Sequence, residues 1–278
     1  MSEYMQTGFA EINGTKLYYE VAGAGHPLVL NHGGLVDHHL WDEQVEEFAR
    51  HFKVIRYDIR GFGQSGLIKK GMEPFSLEGD LYGLLRFLGV EKTYVLGLSM
   101  GGALSINFTL QYPEMVDALI TVGAGLSGFN WDEIDDEEFK AKDRASDEAF
   151  KNGDIAHAVE LSLQLWTDGP NRAPEHVDSQ VRERVRAMTT RNLERGDDED
   201  VEPLEMDPPA AGRLSEIHVP TLVIVGGQDG RPIHIIADTL AKGIAGARKV
   251  IIPGTAHHLN MELPEEFNQV VIEFLEQI

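Results

Sequence analysis

Thr93-Tyr94-Val95-Leu96-Gly97-Leu98-Ser99-Met100-Gly101-Gly102-Ala103 is the stretch on which the reading of this chain turns. An apolar run with strand character reaches a serine, and a helical pattern from Gly101 to Tyr112 begins directly after it. A serine at so sharp a strand-to-helix turn is held in a strained backbone conformation with its hydroxyl exposed. The glycines two before and two after are required because a side chain at either place would strike the crossing strand and helix. The Met100 N–H then stands at a helix N-terminus, where amides lack intrahelical partners and the dipole favours negative charge. That supplies half of a site for an oxyanion.

Working outward, short apolar runs alternate with amphipathic helical patterns, the signature of an α/β chain with a mainly parallel sheet. Eight strands are expected: Phe9 to Ile12, Lys16 to Val21, Pro27 to Asn31, Lys53 to Asp58, Thr93 to Leu98, Ala118 to Val122, Thr221 to Val225 and Lys249 to Ile252. The first two join through Asn13-Gly14 as an antiparallel hairpin. The later ones, rich in Val, Ile and Leu, read as buried on both faces. Helices are expected over Trp41 to His51, Leu77 to Leu88, Gly101 to Tyr112, Ile233 to Ile244 and Pro264 to Ile278. Ser76 is placed to cap the second, with Glu78 and Asp80 in its first turn. From Leu126 to about Arg213 strand-like runs vanish, charge rises and helical stretches such as Asp154 to Trp166 and Val177 to Leu193 dominate. The pattern divides the chain into a core, 1–125 and 214–278, and a helical lid, 126–213, inserted between two strands. Gly196 to Pro209, acidic and proline-rich, reads as an exposed connection.

The 278 residues carry a formal net charge of −22, and about half of the acidic side chains fall within the lid. Such a field repels phosphates, which argues against nucleic acid as a partner. No run approaches the length of a membrane span, and Met1 to Gln6 lacks the pattern of a secretory signal. The chain has no cysteine, which removes disulfides, thiolate metal sites and cysteine nucleophiles and matches a cytoplasmic protein.

A serine hydroxyl is a poor nucleophile unless a base takes its proton as it attacks. Among eleven histidines, His257 and His258 lie on the loop just past the strand Lys249 to Ile252, at the same sheet edge as Ser99. Either position satisfies that requirement. An acid must then hold the imidazole in the right tautomer and stabilise its charged form. Asp229 closes Gly226-Gly227-Gln228-Asp229 after the strand Thr221 to Val225, again at that edge. The order Ser, Asp, His across successive strand ends favours it over Asp58, whose neighbour Arg60 suggests a structural ion pair. The second oxyanion donor is expected from His32-Gly33-Gly34-Leu35, where consecutive glycines let the Gly34 N–H approach a substrate beside that of Met100.

With these residues in place, the chain resembles the α/β-hydrolases of the single-domain, helical-lid kind that includes carboxylesterases and enol-lactone hydrolases. The resemblance spans nearly the whole length. It is carried by His32-Gly33-Gly34, Trp41 with Gln44, Asp58-Ile59-Arg60-Gly61-Phe62-Gly63-Gln64-Ser65, the serine turn, Gly226-Gly227-Gln228-Asp229 with Pro232, and Gly254-Thr255-Ala256-His257. In that family the catalytic histidine is followed five residues later by Glu and seven later by Pro; Glu262 and Pro264 fit His257 and not His258. The resemblance implies a mostly parallel eight-stranded sheet flanked by helices, and a Ser99–His257–Asp229 triad that cleaves small carboxylic esters or lactones through an acyl-enzyme. It makes Asp58 and Arg60 parts of a bracing loop. No metal or organic cofactor is implied, and the partner is a small-molecule substrate.

Carbon–carbon bond hydrolases and perhydrolases share the triad and stay open, as does a slowly turning-over small-molecule sensor of the same fold. Haloalkane dehalogenases and epoxide hydrolases resemble the chain less, since they carry Asp where it has Ser99. Two departures stand out. Gly34-Leu35 follows His32-Gly33 where relatives often have a bulky residue and proline, which leaves the acyl side of the pocket less filled. Arg231, just past the acid, either recognises a substrate carboxylate or, by preference, pairs with the acidic surface. Leu35, Phe129, Trp131, Leu163, Trp166 and His258 are the expected substrate contacts.

Overall fold

All eight apolar runs become strands of one sheet. They are β1 (Gln6–Ile12), β2 (Thr15–Ala22), β3 (Pro27–Asn31), β4 (Lys53–Tyr57), β5 (Thr93–Leu98), β6 (Val116–Val122), β7 (Thr221–Gly226) and β8 (Arg248–Ile252). The computed structural model describes residues 6–198 and 201–278. Met1 to Met5 of the leading segment, and Glu199 and Asp200 of the acidic connection, lie outside the described residues. The strand order is β1-β2-β4-β3-β5-β6-β7-β8. β1 pairs antiparallel with β2, and β2 with β4, whereas every pairing from β4 through β8 is parallel.

Side chains alternate across a strand, so each strand of this sheet feeds two layers. Leu28, Leu30, Leu96 and Leu98 pack on one face with Phe48 of α1 (Asp42–Phe48) and Phe267 and Val271 of α8 (Pro264–Leu275). Val29, Ile55 and Val95 face the other way, onto Leu81, Leu84 and Leu85 of α2 (Leu77–Phe87) and Leu104 and Phe108 of α3 (Met100–Gln111). Farther along that face, Val223 and Val225 meet Ile233, Ile236 and Leu240 of α7 (Arg231–Gly243). Ser76 caps α2 by accepting from the Gly79 amide.

α3 is the central helix, and even its polar residues Ser105, Asn107 and Thr109 are buried. Each is satisfied, as buried polar groups must be. Ser105 donates to the Gly101 carbonyl at 2.7 Å and accepts from Asn31 Nδ2 at 2.8 Å, while Asn31 Oδ1 accepts from Tyr57 at 3.0 Å. This chain of bonds fixes α3 against the carboxyl ends of β3 and β4.

Several sequence expectations need correction. β8 forms the sheet edge, so it is not buried on both faces: Ile251 is 50% exposed, and Arg248 and Lys249 guard the unpaired edge. Arg60 does not pair with Asp58. Its guanidinium grips Asp80 in two bonds of 2.7 and 2.8 Å, whereas Asp58 accepts from the His38 ring and backbone at 2.7 and 2.8 Å. Burial, the largest single influence, works to raise the Asp58 pKa, but the hydrogen bond and charge of His38, with His32 and the Gln64 amide, together hold the carboxyl below its ordinary value. The acidic connection is exposed over most of its described residues, as expected, and is anchored at its start. Arg195 donates to the carbonyls of Gly63 and Ser65, and the Ile68 amide donates to Asp197.

Between β6 and β7 the chain forms α4 (Glu137–Lys151), α5 (Ile155–Ser162) and α6 (Ser179–Leu193), with a π-helical turn, Leu163–Thr167, continuing α5. Among the described residues no helix is long and apolar enough to cross a membrane.

The crossing of β5 and α3 sets a sharp steric requirement. A Cβ at Gly97 would overlap the Gly101 carbonyl and the Ser105 hydroxyl, and one at Gly101 would overlap the carbonyls of Asn31 and His32. Gly97→Ala is therefore expected to lower unfolding free energy by about 3 kcal/mol or more, as overpacking against backbone does. Gly153→Ala, at φ +76° with nothing within 4 Å, is expected to cost only about 1 kcal/mol. Urea unfolding of both variants checks the contrast; equal losses would contradict it.

Candidate active site

Ser99 sits between β5 and α3 with φ 56° and ψ −116°, in backbone territory that a non-glycine residue rarely occupies. Its neighbours hold it there. The Ser99 amide donates to the Val122 carbonyl at 2.9 Å, and its carbonyl accepts from Ala103 at 3.0 Å and Gly125 at 2.9 Å. With both peptide groups bonded, the turn is over-determined and the side chain is presented outward from the strand end.

The loop after β6 that bonds Ser99 also abuts the histidine. Gly123 (φ +48°) lies where a Cβ would come within 3.1 Å of the His257 ring and 3.2 Å of Asp229 Oδ2. Asp229 Oδ2 accepts from His257 Nδ1 at 2.8 Å, and its Oδ1 accepts from the Gly230 amide at 2.7 Å. Both residues are buried. Because the carboxylate takes the proton on Nδ1, the neutral ring must leave Nε2 as its free acceptor. Nε2 is buried and has no hydrogen-bond partner among the described residues. It belongs to a side chain that lines a cavity of about 180 Å³ together with Ser99.

That cavity is bounded by Gly33, Gly34, Leu35 and Val36 of the loop after β3, by Leu98 to Met100, by Ser162 and Trp166, by Val185 and Thr189, and by His257 and His258. Among the described residues that line it there is no Lys or Arg. Gly34 and Met100 are neighbours on its wall, a Gly34 Cβ falling 4.0 Å from that of Met100. Leu35 takes φ 62°, a second strained non-glycine residue at the cavity wall.

His32 braces this loop. The Ile59 amide donates to its Nε2 at 2.9 Å, so the ring proton sits on Nδ1 and donates to the Gly33 carbonyl at 2.7 Å. Complete burial pushes the His32 pKa down, which keeps that tautomer uncharged.

The π-helical turn carries Trp166 over the histidine, with ring centroids 4.7 Å apart, and the Trp166 carbonyl accepts from the His257 amide at 3.2 Å. Widened turns of this kind recur where a helix must re-aim a side chain at a site. His258 turns the other way, its Nδ1 lying 3.1 Å from Thr167 Oγ1.

Of the residues singled out in the sequence, Ser99, Gly34, Met100, Leu35, Trp166, His257 and His258 line the cavity, and Asp229 stands behind His257. Phe129, Trp131 and Leu163 are not brought to it. Phe129 and Trp131 pack edge to face at 5.3 Å on the outer side, with Trp131 41% exposed, and Leu163 is buried in the core with Val181 and Val185. Size and apolarity make them candidates, but the loop and short turn ahead of α4 carry Phe129 and Trp131 outward, and the helical turn of Leu163 aims it into the core. Arg231 is exposed and donates to the Asp135 carbonyl at 2.6 Å rather than pairing with an acidic side chain.

Arg172 carries a role that sequence reasoning missed. Its guanidinium donates twice to Glu262, at 2.7 and 3.0 Å, and to the carbonyls of Thr167, Asp168 and Gly254. Glu262 Oε1 in turn accepts from the Ala256 amide at 2.7 Å, the residue before His257. One largely covered ion pair thus bolts the π-turn to the histidine loop. The Glu five residues after His257 was its legible half; nothing local marked Arg172.

A family model described as alpha/beta hydrolase fold matches residues 26–264. The 2-hydroxy-6-oxo-6-phenylhexa-2,4-dienoate hydrolase of Comamonas testosteroni is 26% identical over 99% of this chain and 96% of its own. The pimeloyl-[acyl-carrier protein] methyl ester esterase of Pectobacterium carotovorum subsp. carotovorum is 27% identical over 93% of this chain and 98% of its own. A hydrolase from Pseudomonas aeruginosa PA01 superposes with a TM-score of 0.77 at 28% identity, covering 97% of this chain and 98% of that one.

Burial, with the neighbouring His257 adding to it, pushes the His258 pKa down to about 3. An unfolded chain protonates this residue near about 6.5 while the folded one does not, so the unfolded state binds more protons between those values. Stability is therefore full above about pH 6.5 and falls as pH drops, by up to about 1.4 kcal/mol per unit from this residue. Urea unfolding at pH 7 and pH 5 is expected to show this loss, and His258→Gln to reduce it; an unchanged slope in the variant would contradict the assignment.

Proposed function

The chain belongs to the alpha/beta hydrolase fold family, and from that premise we propose that it is a serine hydrolase cleaving small, uncharged carboxylic esters or lactones. The observation that carries the reading is the His257–Asp229 pair, 2.8 Å long, whose second ring nitrogen is buried and unpartnered at a cavity shared with Ser99.

In this mechanism Ser99 Oγ attacks the carbonyl carbon as His257 Nε2 takes its proton. The charge on the imidazolium is balanced by Asp229, which the Gly230 amide keeps in place. The carbonyl oxygen becomes an oxyanion between the Met100 and Gly34 amides. Among the described residues neither amide has a hydrogen-bond partner of its own. Each such donor is worth about 3 kcal/mol in the transition state. Collapse expels the alkoxide, which takes the proton back from His257; in a lactone it stays tethered to the acyl group. Water, activated by the same imidazole, then frees Ser99.

Size and charge narrow the substrate. About 180 Å³ is well below the roughly 300–1,000 Å³ of drug-sized sites, which favours a compact substrate. A dienoate, as in the name of the Comamonas relative, brings a carboxylate, and the cavity lining offers no Lys or Arg to receive one. Arg231, the cation nearest the acid in sequence, is engaged at the surface with Asp135. An unpaired charge in such a site is costly, so the carbon–carbon reading is less favoured. We assign the helices between β6 and β7 the role of a lid, since Ser162, Trp166, Val185 and Thr189 roof Ser99.

Nitrophenyl acetate and butyrate are expected to be hydrolysed, with kcat/KM at least about tenfold above that of a long-chain or hemisuccinate ester. Ser99→Ala and His257→Ala should each lower kcat by about a thousandfold or more with thermal midpoints little changed, and His258→Ala by far less. Near-normal turnover in Ser99→Ala, or preference for the carboxylate-bearing ester, would overturn the proposal.

A further inference from the structure

Two hydroxyls in the cavity wall have no task in the chemistry above. Ser162, at the end of α5, and Thr189, on α6, are 8% and 1% exposed, and both line the space in front of Ser99. Among the described residues neither hydroxyl has a hydrogen-bond partner. This contrasts with the buried hydroxyls of α3, where Ser105 and Thr109 each donate to a backbone carbonyl. A helical Ser or Thr can always satisfy itself on the preceding turn. Left free on this wall, the two hydroxyls offer their hydrogen-bonding capacity to whatever occupies the cavity.

His258 stands on the same wall. Its Nδ1 is held by Thr167 at 3.1 Å, and the ring is 5% exposed. Burial keeps it uncharged, its pKa pushed down to about 3. Ser and Thr hydroxyls can both donate and accept, and a neutral imidazole has one nitrogen of each kind. Together they suit a neutral group with the same dual capacity, whereas a carboxylate or ammonium would find no opposite charge among the lining residues.

We propose that Ser162, Thr189 and His258 form a polar subsite that selects esters or lactones bearing a hydroxyl or amide close to the scissile carbonyl. The proposal rests on the serine-hydrolase reading and deepens it, since the subsite shares the cavity of Ser99. Ser162 and Thr189 come from two different lid helices, so the subsite is complete only where α5 and α6 close over the turn after β5. A hydroxyl or amide substituent would then steer the carbonyl toward Ser99, while a plain acyl chain leaves both hydroxyls unmatched.

The test compares γ-butyrolactone with its α-hydroxy and α-acetamido derivatives, each measured as a competitor of nitrophenyl acetate hydrolysis. The readout is the ratio of inhibition constants, so it applies whether or not a lactone is itself turned over. In the wild-type protein at least one substituted lactone is expected to bind about tenfold or more tightly than the plain one. In Ser162→Ala/Thr189→Val that ratio should fall to within about threefold of unity. A fluorophosphonate probe, applied to both proteins, reports whether Ser99 is still reactive. Labelling with a wild-type ratio near one, or a ratio unchanged in the variant, overturns the subsite and leaves the hydrolase reading standing. Absence of both labelling and nitrophenyl acetate turnover in the wild type overturns the reading itself, and the subsite with it.

Discussion

The backbone at Ser99 is held at φ 56° and ψ −116°, a conformation that costs about 1–3 kcal/mol for a residue with a side chain. It persists because β5 and α3 cross too closely for anything else. The Gly97 and Gly101 backbones meet there, the Asn31 and His32 carbonyls press from β3, and the Ser99 peptide is bonded to Val122, Ala103 and Gly125. Every other part of the site is placed relative to that turn. The same crossing sets Met100 at the cavity wall, and the same loop after β6 lets the His257 ring lie against Gly123.

The histidine half is built on the far strands and tied to the helices between β6 and β7. Its carboxylate partner comes from the loop after β7, and its own loop is bonded to the Trp166 carbonyl. The Arg172–Glu262 pair joins the π-turn of the lid to the backbone just ahead of His257. Behind them, Gln44 and Asn260 exchange hydrogen bonds of 2.9 and 3.0 Å, locking the helical turn after His258 to α1. The helices between β6 and β7 and the histidine loop are therefore joined as one mechanical unit.

Strand positions were legible because their apolar runs are short and bounded, and the sheet pairs them in an order that uses every one. The serine turn was legible because its glycines answer a steric demand that few other arrangements make. His257 and His258 were indistinguishable by position alone; the Glu262 and Pro264 spacing separates them, and the Glu262 bond to Ala256 gives that spacing a physical cause. What stayed hidden depends on helix rotation and distant pairing. α4 was not foreseen because only Phe139 and Ala149 of its fifteen residues are buried, which leaves a faint apolar stripe. Arg60 sits beside Asp58 in sequence yet bonds Asp80 across the fold. Phe129, Trp131 and Leu163 looked like pocket residues by type, whereas the smaller Ser162, Val185 and Thr189 reach the cavity.

The account stands on Ser99, His257 and Asp229 acting on one atom, with the Gly34 and Met100 amides waiting for the charge. A crystal structure of the protein inactivated by a small alkyl phosphonate measures that directly. The account predicts a covalent bond from phosphorus to Ser99 Oγ, a phosphoryl oxygen about 2.7–3.1 Å from both amides, and His257 Nε2 facing the adduct while Nδ1 stays on Asp229. An adduct on another residue, or one on Ser99 with its oxygen away from both amides and the imidazole turned aside, would contradict it.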